Sequence, residues 1–233
     1  MKIMMLIYLN LFLGLFFLSW TLTKLVRYVA LKQRIMDIPS DRSSHQIPTP
    51  RGGGLSFVIL FLLSLPILFF FNFISVSQLL AFETSGLLAA CIGFIDDYHS
   101  LSALNRLFFH GLAALSGILF LDIPSILSSH YSFLNIAFFF FTLIYLAWSL
   151  NLYNFMDGIN GLAALQGIFM SIGGAAIGFI THNSAIMALS LTLLPLLFGF
   201  LYWNFPRARI FMGDVGSGFL GIIFGLISLL ALQ

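Results

Sequence analysis

Four short polar segments interrupt an otherwise apolar chain of 233 residues, and each carries residue types that could do chemistry. The first, Asp41–Gly54, contains Arg51 followed by Gly52 and Gly53. Unhindered backbone N–H groups beside a guanidinium could bind a phosphate. A positively charged loop with a flexible helix start explains the same residues, so both interpretations stay open for this segment. His45 taken singly fits a loop histidine better than a ligand.

The second segment places two adjacent carboxylates, Asp96 and Asp97, at the end of an apolar run. Such neighbours repel one another unless a cation lies between them. They also point about 100° apart on a helix, so they need not bind the same atom. A solvated pair at the membrane interface is the alternative, but charge is rare in this chain and the pair therefore favours function.

The third segment, Asn151–Gly161, combines amides, a carboxylate and glycines. Asn151, Asn154 and Asp157 recur every three residues, which could bring them near one face of a helix end, and Asn160 follows. A helix C-cap explains one glycine and one asparagine, but not the whole set. This segment therefore predicts a ligand-binding site.

The fourth segment contains Asp214 at a glycine-rich entry to the last apolar run, downstream of two arginines. The carboxylate could cap a helix, or it could hold a divalent cation whose other ligands are phosphate oxygens and waters, as Mg²⁺ prefers. The four segments together suit a phosphate-bearing substrate handled with a metal at a membrane interface. A transporter would place its polar groups nearer the bilayer midplane.

The composition excludes several classes of protein. Hydrophobic residues make up 60% of the chain and charged residues only 8%, whereas soluble domains carry roughly 25% charged residues. The net charge of +2 provides no basic footprint for nucleic acid. The single cysteine, Cys91, excludes a disulfide framework and a cysteine-based metal site.

Eight apolar runs of about spanning length predict an all-α, polytopic membrane protein with about eight transmembrane helices. The third and seventh runs are the shortest, and the first is interpreted as a retained span rather than a cleaved signal peptide. The runs cover Ile3–Thr23, Leu55–Phe73, Leu79–Ile95, Leu104–Leu121, Phe133–Leu150, Leu162–Ile180, Ala185–Tyr202 and Val215–Leu232.

Charge placement predicts the orientation in the membrane. Nine of the ten basic residues fall on one face, which should be cytoplasmic, and the N-terminus is then outside. Six of the eight acidic residues share that face, so the polar segments are predicted to be cytoplasmic loops. These acidic residues are Asp37, Asp41, Asp96, Asp97, Asp157 and Asp214, and the basic ones are Lys24, Arg27, Lys32, Arg34, Arg42, Arg51, Arg106, Arg207 and Arg209.

The polar segments resemble the motifs of the polyprenyl-phosphate N-acetylhexosamine-1-phosphate transferases, glycosyltransferase family 4. Pro48–Gly54, Asp96-Asp97, Asn151–Gly158 and Phe211–Gly218 occur in that family's order, and the resemblance covers essentially the whole chain. The residues of these motifs most resemble those of bacterial transferases that initiate O-antigen and other surface polysaccharides. The resemblance therefore implies a role in lipopolysaccharide and cell-wall biogenesis.

The resemblance implies transfer of N-acetylhexosamine 1-phosphate from a UDP-N-acetylhexosamine to undecaprenyl phosphate, with release of UMP. It places the protein in the bacterial inner (cytoplasmic) membrane, with Mg²⁺ or Mn²⁺ as cofactor, no nucleic-acid partner, and a homodimer as an open option. The implied catalytic residues are Asp96, Asp97, Asp157 and Asp214, with Asp214 and Asp157 on the metal. The implied substrate-binding residues are Arg51, Gly52, Gly53, Asn151, Asn154 and Asn160.

Two departures from the family pattern qualify the resemblance. Asn160 stands where the family commonly has a second acid, and an amide can bind a uracil or ribose but contributes no charge. Relatives continue with further spans and a histidine-rich loop, so residues 1–233 are expected to form one membrane domain that is C-terminally truncated. Two alternatives stay open: a truncated, non-catalytic membrane protein that retains lipid or nucleotide binding, and a small transporter.

Overall fold

A computed structural model describes residues 2–39, 46–121 and 132–232, which form eight helices and one two-stranded sheet. Asp41, Arg42, His45 and residues 122–131 lie outside the described residues. The prediction of an all-α, polytopic membrane protein is confirmed. The elements are α1 Lys2–Gln33, β1 Met36–Asp37, β2 Thr49–Pro50, α2 Leu55–Phe70, α3 Val76–Tyr98, α4 Ala103–Phe120, α5 Ser132–Met156, α6 Leu162–Ile180, α7 Ser184–Asn204 and α8 Asp214–Leu230.

Six of these helices are long and apolar enough to cross a membrane, whereas α2 and α8 have only 16 and 17 residues. The expectation that the third and seventh would be shortest is wrong, since α3 has 23 residues and α7 has 21. Helix α3 begins at a capping box formed by Ser75 and Gln78 and continues through Asp96 and Asp97. A hydropathy pattern ends at such polar residues, but the helical hydrogen bonding does not.

Helix α1 continues ten residues beyond the predicted end at Thr23. No glycine or proline occurs between Leu15 and Ile38, so nothing in the sequence breaks the helix there. It ends at Arg34, whose φ of 57° is the left-handed conformation common after helix ends. The basic residues Lys24, Arg27 and Lys32 therefore lie on the last turns of α1 rather than in a loop.

A short antiparallel pairing follows α1 and was not predicted. Strand β1 pairs with β2 in a register that joins Met36 to Pro50 and Asp37 to Thr49. Each strand has two residues, which is too short for any alternation to appear in the sequence. The pairing brings the chain back to the end of α1 immediately before Arg51.

Helix α8 lies at the centre of the bundle and is buried continuously over 215–227. It packs against α3 and α5, and glycines allow the closest approaches. A Cβ added to Gly93 of α3 would lie 2.3 Å from the Asp214 carbonyl oxygen, and one added to Gly54 would lie 2.3 Å from the Cα of Gly216. These backbone contacts fix the N-terminal end of α8, where Asp214 stands.

Candidate active site

The chain entering α2 pairs through its backbone with the loop that precedes α8. The Phe211 N–H donates to the Pro50 carbonyl oxygen at 2.8 Å, and the Gly53 and Gly54 N–H groups donate to the carbonyls of Phe211 and Met212 at 2.9 and 2.8 Å. We call this region the junction, and its members are 50–54, Asp97, Asp157 and 211–215. The N–H groups of Gly53 and Gly54 therefore already have protein acceptors. Anion binding by Gly53 stays a prediction.

Asp97 connects α3 to the start of α8. Its Oδ1 accepts the N–H of Asp214 at 3.0 Å and its Oδ2 accepts the N–H of Val215 at 3.1 Å. The guanidinium of Arg51 donates through Nη2 to the Asp97 carbonyl oxygen at 2.6 Å, and its Nε lies 3.8 Å from Oδ1. Asp97 is 3% exposed. It therefore caps α8 from another helix, with Arg51 balancing its charge.

Asp157 supports the same loop from the end of α5. Its Oδ2 accepts the N–H of Gly213 at 2.7 Å. The residue is partly exposed, but protein atoms closely surround its carboxyl group. This burial raises the pKa of Asp157 well above the usual value, and the carboxylates of Asp97 and Asp214 act in the same direction.

Gly213 has a φ of 76°, which favours glycine at this position. A Cβ there would lie 2.5 Å from Oδ2 of Asp97 and 2.6 Å from the backbone nitrogen of Gly52. Gly213 thus allows the loop before α8 to lie close to both the Asp97 side chain and the Gly52 backbone. The sequence predicted a glycine-rich entry to the last helix, and the structure shows what that glycine makes possible.

Asn204, which was not singled out as a site residue, joins the third and fourth polar segments. Its Nδ2 donates to the carbonyl oxygen of Ile210 at 3.0 Å, while its Oδ1 accepts the N–H of Gly161 at 2.9 Å. The side chain is buried. An asparagine that ends an apolar run was the available signal, since a buried amide must find partners.

Asp96 faces away from the junction into a narrow cleft. Its Oδ1 accepts the N–H of Leu101 at 2.5 Å, and its Oδ2 accepts Nη1 of Arg106 at 3.2 Å. Its carboxyl group lies beside that of Asp214. Two carboxylates in contact must share a proton or a cation. We call this region the cleft, and it is lined by Ile92, Gly93, Asp96, Arg106, His110, Asn154, Asp214 and Gly218.

The predicted amide residues separate in the structure. Asn154 lines the cleft, but Asn151 is exposed and donates to the carbonyl oxygen of Ala147 on its own helix at 2.8 Å. The Asn160 amide reaches the carbonyl oxygen of Pro206 at 3.4 Å. Since α5 stays helical to Met156, a spacing of three residues leaves about 60° between successive side chains. The prediction that this series shares one face therefore holds only loosely.

A separate groove of about 320 Å³ opens beside the junction, between α1 and α3. Its lining is mostly apolar, and its polar end is formed by Arg51, Gly52 and Asp97. A groove of this kind suits a hydrocarbon chain that carries a polar group at one end.

The donor set of the cleft suits a hard cation. Within 2–39, 46–121 and 132–232, no group of three or more histidine, cysteine or acidic side chains is arranged to hold a metal ion. The Asp96–Asp214 pair nevertheless fits Mg²⁺, which commonly binds one or two carboxylates and completes its shell with phosphate oxygens and waters. Asp157, the other predicted metal ligand, directs its carboxylate to the junction loop.

Comparison with known proteins points to one family. The family model described as "Glycosyl transferase family 4" matches residues 79–232. A Bacillus subtilis protein named "Probable undecaprenyl-phosphate N-acetylglucosaminyl 1-phosphate transferase" is 30% identical over 91% of this chain and 59% of its own length. A Mycolicibacterium smegmatis "Decaprenyl-phosphate N-acetylglucosaminephosphotransferase" is 30% identical over 89% and 56%, respectively.

A Staphylococcus aureus "Phospho-N-acetylmuramoyl-pentapeptide-transferase" is 31% identical over 79% of this chain and 63% of its own length. The chain thus spans about 56–63% of the length of these relatives. The match over 79–232 contains the segments that form the cleft and most of the junction. On this evidence the chain belongs to glycosyl transferase family 4, the polyprenyl-phosphate N-acetylhexosamine-1-phosphate transferases.

Proposed function

We propose that this chain carries the catalytic face of a transferase that moves N-acetylhexosamine 1-phosphate from a UDP-sugar to undecaprenyl phosphate and releases UMP. The reaction would begin the assembly of a lipid-linked glycan, such as O-antigen, at the bacterial cytoplasmic membrane. One observation carries the proposal. Aspartates from three polar segments that are far apart in sequence meet at one end of the bundle, around the start of α8.

The lipid substrate is supported by the groove beside the junction. An apolar lining next to the Arg51 guanidinium suits a hydrocarbon chain with an anionic end. The names of the Bacillus and Mycolicibacterium relatives specify polyprenyl phosphates and N-acetylglucosamine. Undecaprenyl phosphate and an N-acetylhexosamine donor are therefore the substrates we propose.

In the proposed reaction, an oxygen of the lipid phosphate attacks the sugar-bearing phosphorus of the UDP-sugar. The bond from that phosphorus to the UMP oxygen breaks, and UMP leaves with the electron pair. A phosphate monoester loses its second proton near pH 6, so little general base is required. Mg²⁺ held by Asp214 and Asp96 would neutralise charge on the reacting phosphates.

The protein then contributes mainly position and electrostatics. Asp97 and Asp157 hold the loop before α8 through backbone N–H groups, and this places Asp214 at the cleft. We therefore assign Asp97 and Asp157 positioning roles, whereas the family resemblance implied that both are catalytic and that Asp157 binds the metal. Asn154 lies on the cleft wall, within reach of a bound phosphate.

A transfer assay tests this function. The purified 233-residue protein would be incubated in detergent with labelled UDP-N-acetylglucosamine, undecaprenyl phosphate and Mg²⁺, with UDP-N-acetylgalactosamine in parallel. We expect labelled lipid and free UMP, both lost with EDTA. UMP binding without any lipid product would instead favour the non-catalytic alternative, and substrate flux across liposomes without lipid product would favour a transporter.

A further inference from the structure

His110 forms part of the cleft wall and has no role in the function proposed above. It lies on α4 one turn after Arg106, and a spacing of four residues places both side chains on the same helix face. The residue is only 5% exposed, yet it borders the cleft together with Asp96, Asn154 and Asp214.

The Nδ1 atom of His110 is buried and has no hydrogen-bond partner among the residues that the structure describes. A buried polar atom left unpaired is costly, so such atoms are rare in folded proteins and call for an explanation. An imidazole nitrogen on the wall of a polar cleft can serve a ligand that enters that cleft. The remaining wall indicates which ligand this is.

The cleft combines negative groups with hydrogen-bond donors, and one of these donors, Arg106, is paired with Asp96. Asp96 and Asp214 form its acidic side, while Arg106 and Asn154 bring a guanidinium and an amide. A phosphoryl group bound through a cation at the acidic pair would turn its free oxygens towards the donors. The cleft is narrow, about 10 Å³, and a Cβ added to Gly218 would be in ordinary van der Waals contact with Leu150, at 3.8 Å.

We propose that Nδ1 of His110 donates a hydrogen bond to a phosphoryl oxygen of a substrate bound in the cleft. The inference rests on the proposed function. The oxygen belongs either to the diphosphate of the nucleotide sugar or to the phosphate of the lipid, and these share the acceptor chemistry that His110 would recognise.

Two substitutions at His110 test the hydrogen bond. His110→Leu removes the donor at similar volume, whereas His110→Asn keeps an amide nitrogen close to the position of Nδ1. His99→Leu is the matched control, because His99 is an exposed histidine at the end of α3. For each protein in detergent, we would measure thermal unfolding and the Kd for UDP-N-acetylglucosamine, UMP and undecaprenyl phosphate, with and without Mg²⁺.

We expect His110→Leu to weaken binding of at least one phosphate ligand about tenfold, with His110→Asn recovering most of the loss. A loss confined to UDP-N-acetylglucosamine assigns the contact to the sugar-bearing phosphate. A loss also seen for UMP assigns it to the nucleotide phosphate, and a loss for undecaprenyl phosphate assigns it to the lipid.

The inference alone would be overturned if folded His110→Leu bound all three ligands with the wild-type Kd. It would also be overturned if His110→Asn failed to restore the affinity. A wild-type protein that binds none of them would overturn the proposed function and the inference with it. Gly218→Ala provides a second probe, since its methyl group would narrow the cleft and weaken binding of the same ligand. Its control is Gly111→Ala, where the added Cβ meets nothing within 4 Å.

Discussion

Asp96 and Asp97 are neighbours at the end of α3, but the helix turns their carboxylates into two different regions. Asp97 belongs to the junction, where two backbone N–H groups and Arg51 satisfy its oxygens. Asp96 belongs to the cleft, where it contacts Arg106 and the carboxyl group of Asp214. The junction thus stabilises the fold with its acidic groups, while the cleft keeps an acidic pair available to a cation. Adjacent acids in a motif can therefore have separate tasks.

The largest effect should follow from Asp214→Asn, which removes charge from the cleft but keeps the size of the side chain. We expect transfer to fall at least about a thousandfold, because electrostatic stabilisation of the phosphates is lost. Unfolding temperature should change little, since the junction bonds to residue 214 use its backbone N–H. Mg²⁺-dependent transfer near the wild-type rate would disprove the role of this residue.

Asp97→Ala should act on stability first. It leaves the Asp214 and Val215 N–H groups without their acceptor and Arg51 without its carboxylate. We expect a loss of about 2–4 kcal/mol in the free energy of unfolding, measured by thermal unfolding in detergent.

Asp96→Ala is the matched comparison for Asp97→Ala. It should reduce Mg²⁺-dependent transfer about a hundredfold while costing less stability than Asp97→Ala, because its side chain makes a single backbone contact. If Asp96→Ala and Asp97→Ala lowered stability and transfer activity in the same proportion, the assignment of Asp97 to the junction and Asp96 to the cleft would be wrong.

Gly213→Ala probes the junction without changing any charge. The added Cβ would approach Asp97 and the backbone of Gly52, at a φ that disfavours side chains. We expect about 2–3 kcal/mol of destabilisation by thermal unfolding. Gly158→Ala is the control, because a Cβ there meets nothing within 4 Å, and a comparable loss in that variant would contradict the packing argument.

The smallest expected difference is between the effects of substituting Asn154 and Asn151 of α5 on KM. Asn154→Ala should raise the KM for the nucleotide sugar about tenfold, since it removes a donor from the cleft wall. Asn151→Ala should leave KM unchanged, because Asn151 bonds to its own helix at an exposed position. The measurement is a steady-state titration of UDP-N-acetylglucosamine, and equal effects at both positions would mean that α5 presents a different face to substrate.

The helices could be predicted because polar segments separate the apolar runs, and the site residues because charged groups are few in this chain. Hydrogen bonds between residues far apart in the sequence could not be predicted from the apolar runs. Asp97 accepts N–H groups from residues 117 and 118 positions later, and Asn204 reaches back to Gly161. No local pattern encodes such contacts, since they depend on how α3 packs against α8 and how α6 packs against α7.

His110 illustrates the other limit of prediction. A lone histidine in an apolar helix is usually part of a core, and its sequence neighbours are leucine, phenylalanine and glycine. Only the packing of α4 against α3, with α5 and α8 bordering the same cleft, shows that it faces acidic side chains.

The central position of α8 has a consequence for how the protein is made. Within the residues that the structure describes, seven helices precede α8 and leave the ribosome first, yet they enclose α8. During synthesis the earlier helices must remain apart in the bilayer, or admit α8 laterally after it enters the membrane. Until that step, Asp97 lacks the amides that it caps and Asp214 is absent from the cleft. The junction and the cleft are therefore completed only when α8 joins the earlier helices.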